Sequence, residues 1–401
     1  MNYHIITQDK FFDAYIEDIY KLQLEASNVF WVRGEKGEMS FLKTNRPIEY
    51  LGNDKADYVA KFKTLKPEDK LFVSWYDMFM GEAILESGIN NKVYVVVMGG
   101  EFYAEPFWYH ADWLFDKYTL KYLKERKEYG YPQVNWKRKP KNWNKIYKEL
   151  CAKRHFPSLQ KQLYEQKLKT ISRIDYIVIP QEGINEFDLI KRLYPNTTFK
   201  IVNCCPFSQN FDAASLLPTK YFEKGWSINI LIGNSADPTN NYLDAFRWLK
   251  KQCRHLSQSV NIYTVLSYGS ELHKAEVIKY GKSMFGERFF PVVSYIDRDK
   301  YLSWVNSMDV IIMYHNRQQA VGNIMTAITL GKPVFMKACS PVYMMLKEQG
   351  CSSVYDVKEV SFENIEDIIQ SANRDRANNV AIVKKIYSEE TRLNNWRKLL
   401  E

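Results

Sequence analysis

The chain has 401 residues, 46% of them hydrophobic and 26% charged, with a formal net charge of +9. That is too long for one small core and too apolar for a disordered chain, so two globular domains are expected. The six cysteines (151, 204, 205, 253, 339 and 351) show neither a CxxC pair nor metal-ligand spacing, which argues for reduced thiols in a cytoplasmic protein.

The amino terminus, MNYHIITQDKFF, meets charge too early for a signal peptide, and no apolar run reaches membrane-spanning length. Any membrane contact is therefore expected to be peripheral. YHIIT reads as a first strand and FFDAYIEDIYKL, with its helical apolar spacing, as the helix after it. NVFWVRG and KLFVSWYD are further strands, rich in β-branched and aromatic residues. MFMGEAILES follows as a helix, and NKVYVVVMGGEFY as a buried strand ending in a glycine pair. DYIVIP, NEFDLIKRLY and FKIVNCC continue the alternation, which predicts a first doubly wound α/β domain over residues 1–217.

Residues 107–173 interrupt that pattern. Between 117 and 173 stand 17 Lys and Arg against 4 Asp and Glu, so the rest of the chain is slightly acidic. Lysines interleaved with Trp108, Trp113, Trp136 and Trp143 resemble an interfacial surface, rings at headgroup depth and cations on anionic lipid. A solvated helical pair packing its aromatic face on the domain is the plainer alternative. A helix-turn-helix, finger or RNP signature is not found, so nucleic acid is not the expected partner.

A break at 216–226, punctuated by Pro218 and Gly225, marks the domain boundary. Beyond it the alternation is regular. SINILIG, NIYTVLS, FFPVVSYI, VIIMY and PVFM read as strands, separated by the helices YLDAFRWLKKQ, ELHKAEVIKYGKSMF, DKYLSWVNSM and IMTAITL. A second doubly wound domain is thus expected over 226–385, with a closing helix at 386–401.

Open α/β sheets bind ligands at the carboxyl ends of their strands, which singles out three loops. The first, residues 233–241 (GNSADPTNN), offers Gly233 for close backbone approach and Asn234 and Ser235 as short polar groups near a helix start. The second, residues 315–323 (HNRQQAVGN), gathers His315, Arg317, Gln318, Gln319, Gly322 and Asn323. An arginine fork beside a helix amino terminus suits a diphosphate, with His315 as a further donor to it. The third follows the glycine pair at 99–100 and carries Glu101, the candidate general base for an acceptor hydroxyl; Asp77, His110 and Asp112 compete for that role. Neither GxGxxG nor GxxxxGK[ST] occurs, so a nicotinamide cofactor and a P-loop are not indicated.

GNSADPTNNYLDAF together with HNRQQAVGNIMTAITLGKPVFM resembles the bacterial TDP-N-acetylfucosamine:lipid II N-acetylfucosaminyltransferases, or 4-alpha-L-fucosyltransferases; VVVMGGEFY is similar to that family's amino-terminal motif. The resemblance implies a GT-B fold, two Rossmann-like doubly wound domains facing across a cleft, with the donor held by the carboxyl-terminal one. It also implies a nucleotide-diphosphate sugar as donor, a polyprenyl-diphosphate-linked acceptor, inversion at the anomeric carbon and no metal or other cofactor. Carried over by position, Asn234 and Ser235 fall in one family loop, and His315, Arg317, Gln318, Gln319, Gly322 and Asn323 in another. Glu101 stands where aspartate is expected.

The leading expectation is a metal-independent glycosyltransferase of bacterial surface polysaccharide assembly, cytoplasmic and peripheral at the anionic inner membrane, with charge neutralised by Arg317 and helix dipoles. The alternatives are a nucleotide-sugar epimerase or hydrolase of the same two-domain build, and a non-catalytic carbohydrate- or nucleotide-binding protein.

Overall fold

The computed structural model describes residues 1–9, 11–37, 42–103, 112–126, 161–179, 185–195, 197–204, 227–256 and 258–401. The expected domain break at 216–226, His110, Trp108, Trp136, Trp143 and most of the basic segment lie outside the described residues. The chain divides into two compact units. One comprises residues 1–111, 124–208 and 387–401; the other comprises 112–123 and 209–386.

In the first unit the strands β1 (Asn2–Ile6), β2 (Asn28–Val32), β3 (Glu49–Tyr50), β4 (Lys70–Ser74), β5 (Lys92–Val96), β6 (Tyr176–Ile179) and β7 (Lys200–Asn203) lie in the order β3-β2-β1-β4-β5-β6-β7. All neighbours are parallel, and β4, β5 and β6 are largely buried apolar runs, as strands inside a parallel sheet require. The order reverses between β1 and β4, which is the topological switch point of this unit. At the core His4 stacks between Phe30 and Phe72, with ring centroids 5.1 and 4.8 Å away, and its nitrogens meet Tyr15 Oη (2.8 Å) and Asn28 Oδ1 (2.7 Å). A buried imidazole with both nitrogens satisfied is a structural group.

The helix Glu389–Leu400 completes this unit rather than the one preceding it in sequence. Trp396 buries its ring against Tyr15, and Arg392 forms a two-pronged pair with Asp18, NH2 donating to Oδ1 at 3.0 Å. Both partners are almost fully buried, so removing either would strand a charge.

In the second unit β8 (Ile228–Ile232), β9 (Val260–Val265), β10 (Phe289–Val292), β11 (Val310–Met313), β12 (Val334–Met336) and β13 (Val354–Asp356) run parallel in the order β10-β9-β8-β11-β12-β13. The switch point here lies between β8 and β11. Every residue of β11 and β12 is buried, as the unbroken apolar runs VIIM and VFM require. Residues 112–123 belong to this unit because its side chains hold their backbone. The Asp244 carboxylate accepts from Tyr118 N (3.0 Å), Thr119 N (2.8 Å) and Thr119 Oγ1 (2.8 Å), at the positive end of the helix Lys117–Arg126. Asn241 Oδ1 accepts from Asp116 N at 2.8 Å, while its Nδ2 donates to the Leu114 carbonyl at 3.1 Å.

Candidate functional site

The loops after β8 and β11, with the first turn of the helix that follows β11, carry all nine residues that the sequence assigned to the donor, and they flank the switch point of the second unit. Parallel pairing of Ile312 with Ile232 brings the two strand ends together, and Gly233 N donates to the Ile312 carbonyl at 2.9 Å. Gly233 has φ +67°, and a Cβ there would stand 2.3 Å from Tyr242 Oη. Only glycine fits, because the Tyr242 hydroxyl must reach in to donate to the Ser235 (2.7 Å) and Val265 (3.1 Å) carbonyls.

Polar side chains then lock one loop to the other. Gln319 Nε2 donates to Asn234 Oδ1 at 3.1 Å, and Thr239 Oγ1 lies 2.6 Å from Gln319 Oε1 and 2.6 Å from Asp237 Oδ1. One hydroxyl proton serves only one of those two acceptors at a time. Asn240, fully buried, donates through Nδ2 to the Ser235 and Asp237 carbonyls, both at 3.0 Å. Its Oδ1 accepts from Asn234 N at 3.1 Å, which fixes the orientation of the amide.

That orientation decides the state of His315. Its Nε2 lies 2.9 Å from Asn240 Oδ1, and an oxygen already accepting there requires Nε2 to be the protonated nitrogen. Nδ1 is then an acceptor, buried and without a hydrogen-bond partner among the described residues. Burial lowers the pKa to about 3, aided by the positive charges of Arg317 and Lys337. The ring is neutral, with its one donor committed. The sequence assigned His315 to a diphosphate; in this structure its ring N–H is engaged by Asn240, and the side chain orders Asn240 and the loop around it.

Arg317, Gln318, Gly322 and Asn323 are half-buried around the start of the helix Val321–Thr329. This helix begins three residues earlier than its apolar pattern suggests, placing Gly322 and Asn323 in its first turn. Ala320 precedes it with φ +58°, a left-handed conformation that costs an alanine about 1–2 kcal/mol. Ala320 at the N-cap makes no side-chain cap hydrogen bond, and the amino-terminal N–H groups and dipole of such a helix suit an anion. Arg317 NH1 donates to the Gln318 carbonyl at 2.9 Å, folding the guanidinium back beside that terminus.

Lys337, absent from the sequence assignment, adds a second cation. It follows β12, pairs with Asp116, donates to Asn316 Oδ1 at 2.7 Å and lies 4.5 Å from the centroid of the Tyr314 ring. Part of the signal was available, since Lys337 directly follows the apolar run PVFM; that this strand lies beside β11 is known only from the sheet. Among the described residues no group of three His, Cys, Asp or Glu side chains is placed to hold a metal ion.

Glu101 lies in the first unit, in the short helix Gly100–Tyr103. The side chain is buried and both carboxylate oxygens face backbone amides. Oε1 accepts from Trp75 N (3.2 Å) and Met98 N (3.0 Å), and Oε2 from Met98 N (3.0 Å). Burial raises its pKa, offset in part by the backbone amides of Glu101, Met98 and Gly99 and by Lys167. The sequence offered Glu101 as general base; here both of its carboxylate oxygens are engaged by backbone amides, the pattern of a group that positions backbone. What it positions is Trp75, which adopts φ +56° with a ring-bearing side chain that is substantially exposed. Arg33 NH1 holds the Trp75 carbonyl at 2.8 Å while NH2 pairs with Asp77 at 2.8 Å. Asp77 also caps the helix Met78–Ser87 through Met80 N, which leaves it, like Glu101, engaged. Trp75 stands at the carboxyl end of β4, beside the switch point of this unit.

Two parallel doubly wound sheets of this order define the GT-B fold of glycosyltransferases, and known structures agree along the whole chain. An alpha,alpha-trehalose-phosphate synthase (UDP-forming) from Burkholderia vietnamiensis superposes with a TM-score of 0.54 at 7% identity, over 100% of this chain and 99% of that one. A structure described as trehalose-6-phosphate from E. coli bound with UDP-2-fluoro glucose gives 0.56 at 8%, over 99% and 98%. A mutant O-GlcNAc transferase from Thermobaculum terrenum gives 0.53 at 10%, over 100% of this chain and 66% of that one. At such identities the likeness establishes the fold. Residues 199–401 match the model of the 4-alpha-L-fucosyltransferase family, glycosyl transferase group 56. The chain belongs to that family and is a glycosyltransferase.

Proposed function

We propose that the protein transfers a deoxyamino or N-acetylated sugar from a nucleotide-diphosphate donor, of the dTDP type, to a lipid-linked saccharide in bacterial surface polysaccharide synthesis. The observation that carries the donor half is the helix terminus at Val321, where the N-cap Ala320 makes no side-chain cap hydrogen bond, set beside Arg317 at the switch point between β8 and β11. A diphosphate is the anion that matches it: the helix N–H groups take one phosphoryl group and the guanidinium fork the other. As the glycosidic bond to the leaving diphosphate breaks, negative charge grows on the diphosphate, and fixed donors there favour the transition state over the bound donor. Arg317, Lys337 and the helix dipole would supply that stabilisation without a divalent cation.

The acceptor half rests on the family and on the basic, tryptophan-bearing segment, which suits the anionic headgroup surface where a polyprenyl diphosphate would be presented. Inversion at the anomeric carbon belongs to the same reading, and a protein base for the acceptor hydroxyl is part of it.

The test is a transfer assay with labelled dTDP-linked and UDP-linked sugars, with and without a polyprenyl-diphosphate-linked saccharide. Label entering the lipid fraction only when the acceptor is present, with β-configured product from an α-configured donor or the converse, supports the proposal. Donor consumption at equal rate without acceptor would point to a hydrolase instead.

A further inference from the structure

Tyr268 is 58% exposed, yet it is held at both ends. Its hydroxyl accepts from Asn234 Nδ2 at 3.0 Å, and its carbonyl accepts from Ala236 N at 2.7 Å. The adjoining Gly269 forms an isolated parallel bridge with Ala236, and Ser270 N donates to the Ala236 carbonyl at 3.3 Å. Gly269 has φ +111°, and a Cβ there would stand 2.8 Å from the Ala236 carbonyl carbon. The loop after β9 is thereby fastened to the loop after β8. An ordinary surface tyrosine keeps its rotamers free; this one is ordered while its ring face stays wet.

The tether leads into the donor site. Asn234 Oδ1 accepts from Gln319 Nε2, so Tyr268 is the third member of a chain running Tyr268–Asn234–Gln319 across the switch point. β9, β8 and β11 are successive neighbours, which sets the ends of β9 and β11 about 10 Å apart. A ligand whose diphosphate lies at the helix terminus after β11 thus has a rigid aromatic face within reach of one of its ends.

We propose that Tyr268 is the stacking platform for a ring of the nucleotide-sugar donor, and so a specificity-determining residue of the transfer reaction. This rests on the reading of the switch point as the diphosphate site. Both ends of such a donor carry a ring able to lie flat on a phenol: the planar base and the apolar face of the sugar. An aromatic fixed in advance loses little conformational entropy on binding, so a weak stacking contact adds to affinity nearly in full.

Isothermal titration of the full chain separates the possibilities. The probes are TDP, UDP, dTDP-glucose and inorganic pyrophosphate, added to wild type, Tyr268→Ala and Tyr268→Phe. If the base stacks, Tyr268→Ala weakens TDP, UDP and dTDP-glucose by about tenfold or more and leaves pyrophosphate unchanged. If the donor sugar stacks, only dTDP-glucose weakens. In both cases Tyr268→Phe keeps the ring and stays within about threefold of wild type. Unchanged binding of TDP and dTDP-glucose by Tyr268→Ala overturns the proposal while the diphosphate site stands. An equal loss for pyrophosphate also overturns it, because Tyr268 would then act only by holding Asn234. Wild type binding none of the four probes would remove the diphosphate site itself.

Discussion

The Glu101 carboxylate holds the backbone N–H of Trp75 at 3.2 Å, and with the Arg33 guanidinium on the Trp75 carbonyl it fixes a bulky residue in left-handed backbone. Strain of this kind, of order 1–3 kcal/mol, persists only where the surroundings over-determine it, and it gathers at functional positions. Glu101→Ala removes a charged acceptor from two buried amides and is expected to lower stability by about 2–3 kcal/mol. It should also alter the emission of the exposed Trp75 indole. Glu101→Gln keeps one carbonyl oxygen for those amides, so it should retain most activity and the same pH–rate profile. Loss of the acid limb in Glu101→Gln, with turnover down by a hundredfold or more, would return Glu101 to the role of general base.

Arg317→Ala separates chemistry from folding. The side chain is half-buried, and the helix it flanks is held by its own apolar face, so the melting temperature should move by only a few degrees. Turnover should fall by about 10²–10³, the usual effect of removing one preorganised donor from a developing anion. Thermal melts and initial rates on the same preparation check both halves.

Gly233→Ala tests the close approach on which the loop after β8 depends. A left-handed alanine costs about 1–2 kcal/mol, and its methyl group would overlap the Tyr242 hydroxyl, adding about 1–3 kcal/mol. Denaturant unfolding should show the second unit weakened by that sum. An unchanged midpoint would mean that Tyr242 can leave the Ser235 carbonyl at little cost.

Stability should fall with acid through the histidines. His315 is lowered to about 3, and His4 and His273 to about 4, in each case chiefly by burial. Their unfolded values lie near 6.5. Between those limits the unfolded chain binds more protons than the folded one, so unfolding free energy rises with pH there. The contribution is present above about pH 6.5 and is lost as pH falls through the folded values. Each histidine supplies up to about 1.4 kcal/mol per pH unit over that window. Melting temperature against pH checks it: His273→Phe, which removes a fully buried imidazole with neither nitrogen hydrogen-bonded among the described residues, should flatten the acid slope.

The second unit was the more legible in sequence because its strands are buried on both faces. Runs such as VIIM at 310–313 and VFM at 334–336 have no polar positions to blur them, and the residues after each run were placed correctly at strand ends. Short or mixed strands escaped. Glu49–Tyr50 pairs on the sheet edge through only two residues, and Val354–Asp356 ends in an acid. What periodicity could not supply was strand order, which is a long-range property. Only the placement of β8 beside β11 brings Asn234 onto Gln319, and only that of β9 beside β8 brings Tyr268 to Asn234. The direction of a side chain was equally invisible: His315 is in the loop after β11, as expected, but spends its ring N–H on Asn240. Glu101 follows its glycine pair, as expected, but turns to backbone amides. Asn241 and Asp244 draw residues 112–123 into the second unit by hydrogen bonds to backbone, which leave no trace in a hydropathy pattern.

In the proposed function the helix terminus at Val321 and Arg317 together form the diphosphate site of the donor. Titration of TDP and UDP into wild type and Arg317→Ala by calorimetry measures it directly. The expected result is saturable 1:1 binding to wild type, weakened by about tenfold or more in Arg317→Ala because a charged hydrogen bond to phosphate is lost. Equal affinity in the two proteins, or no binding of either nucleotide to wild type, would contradict it.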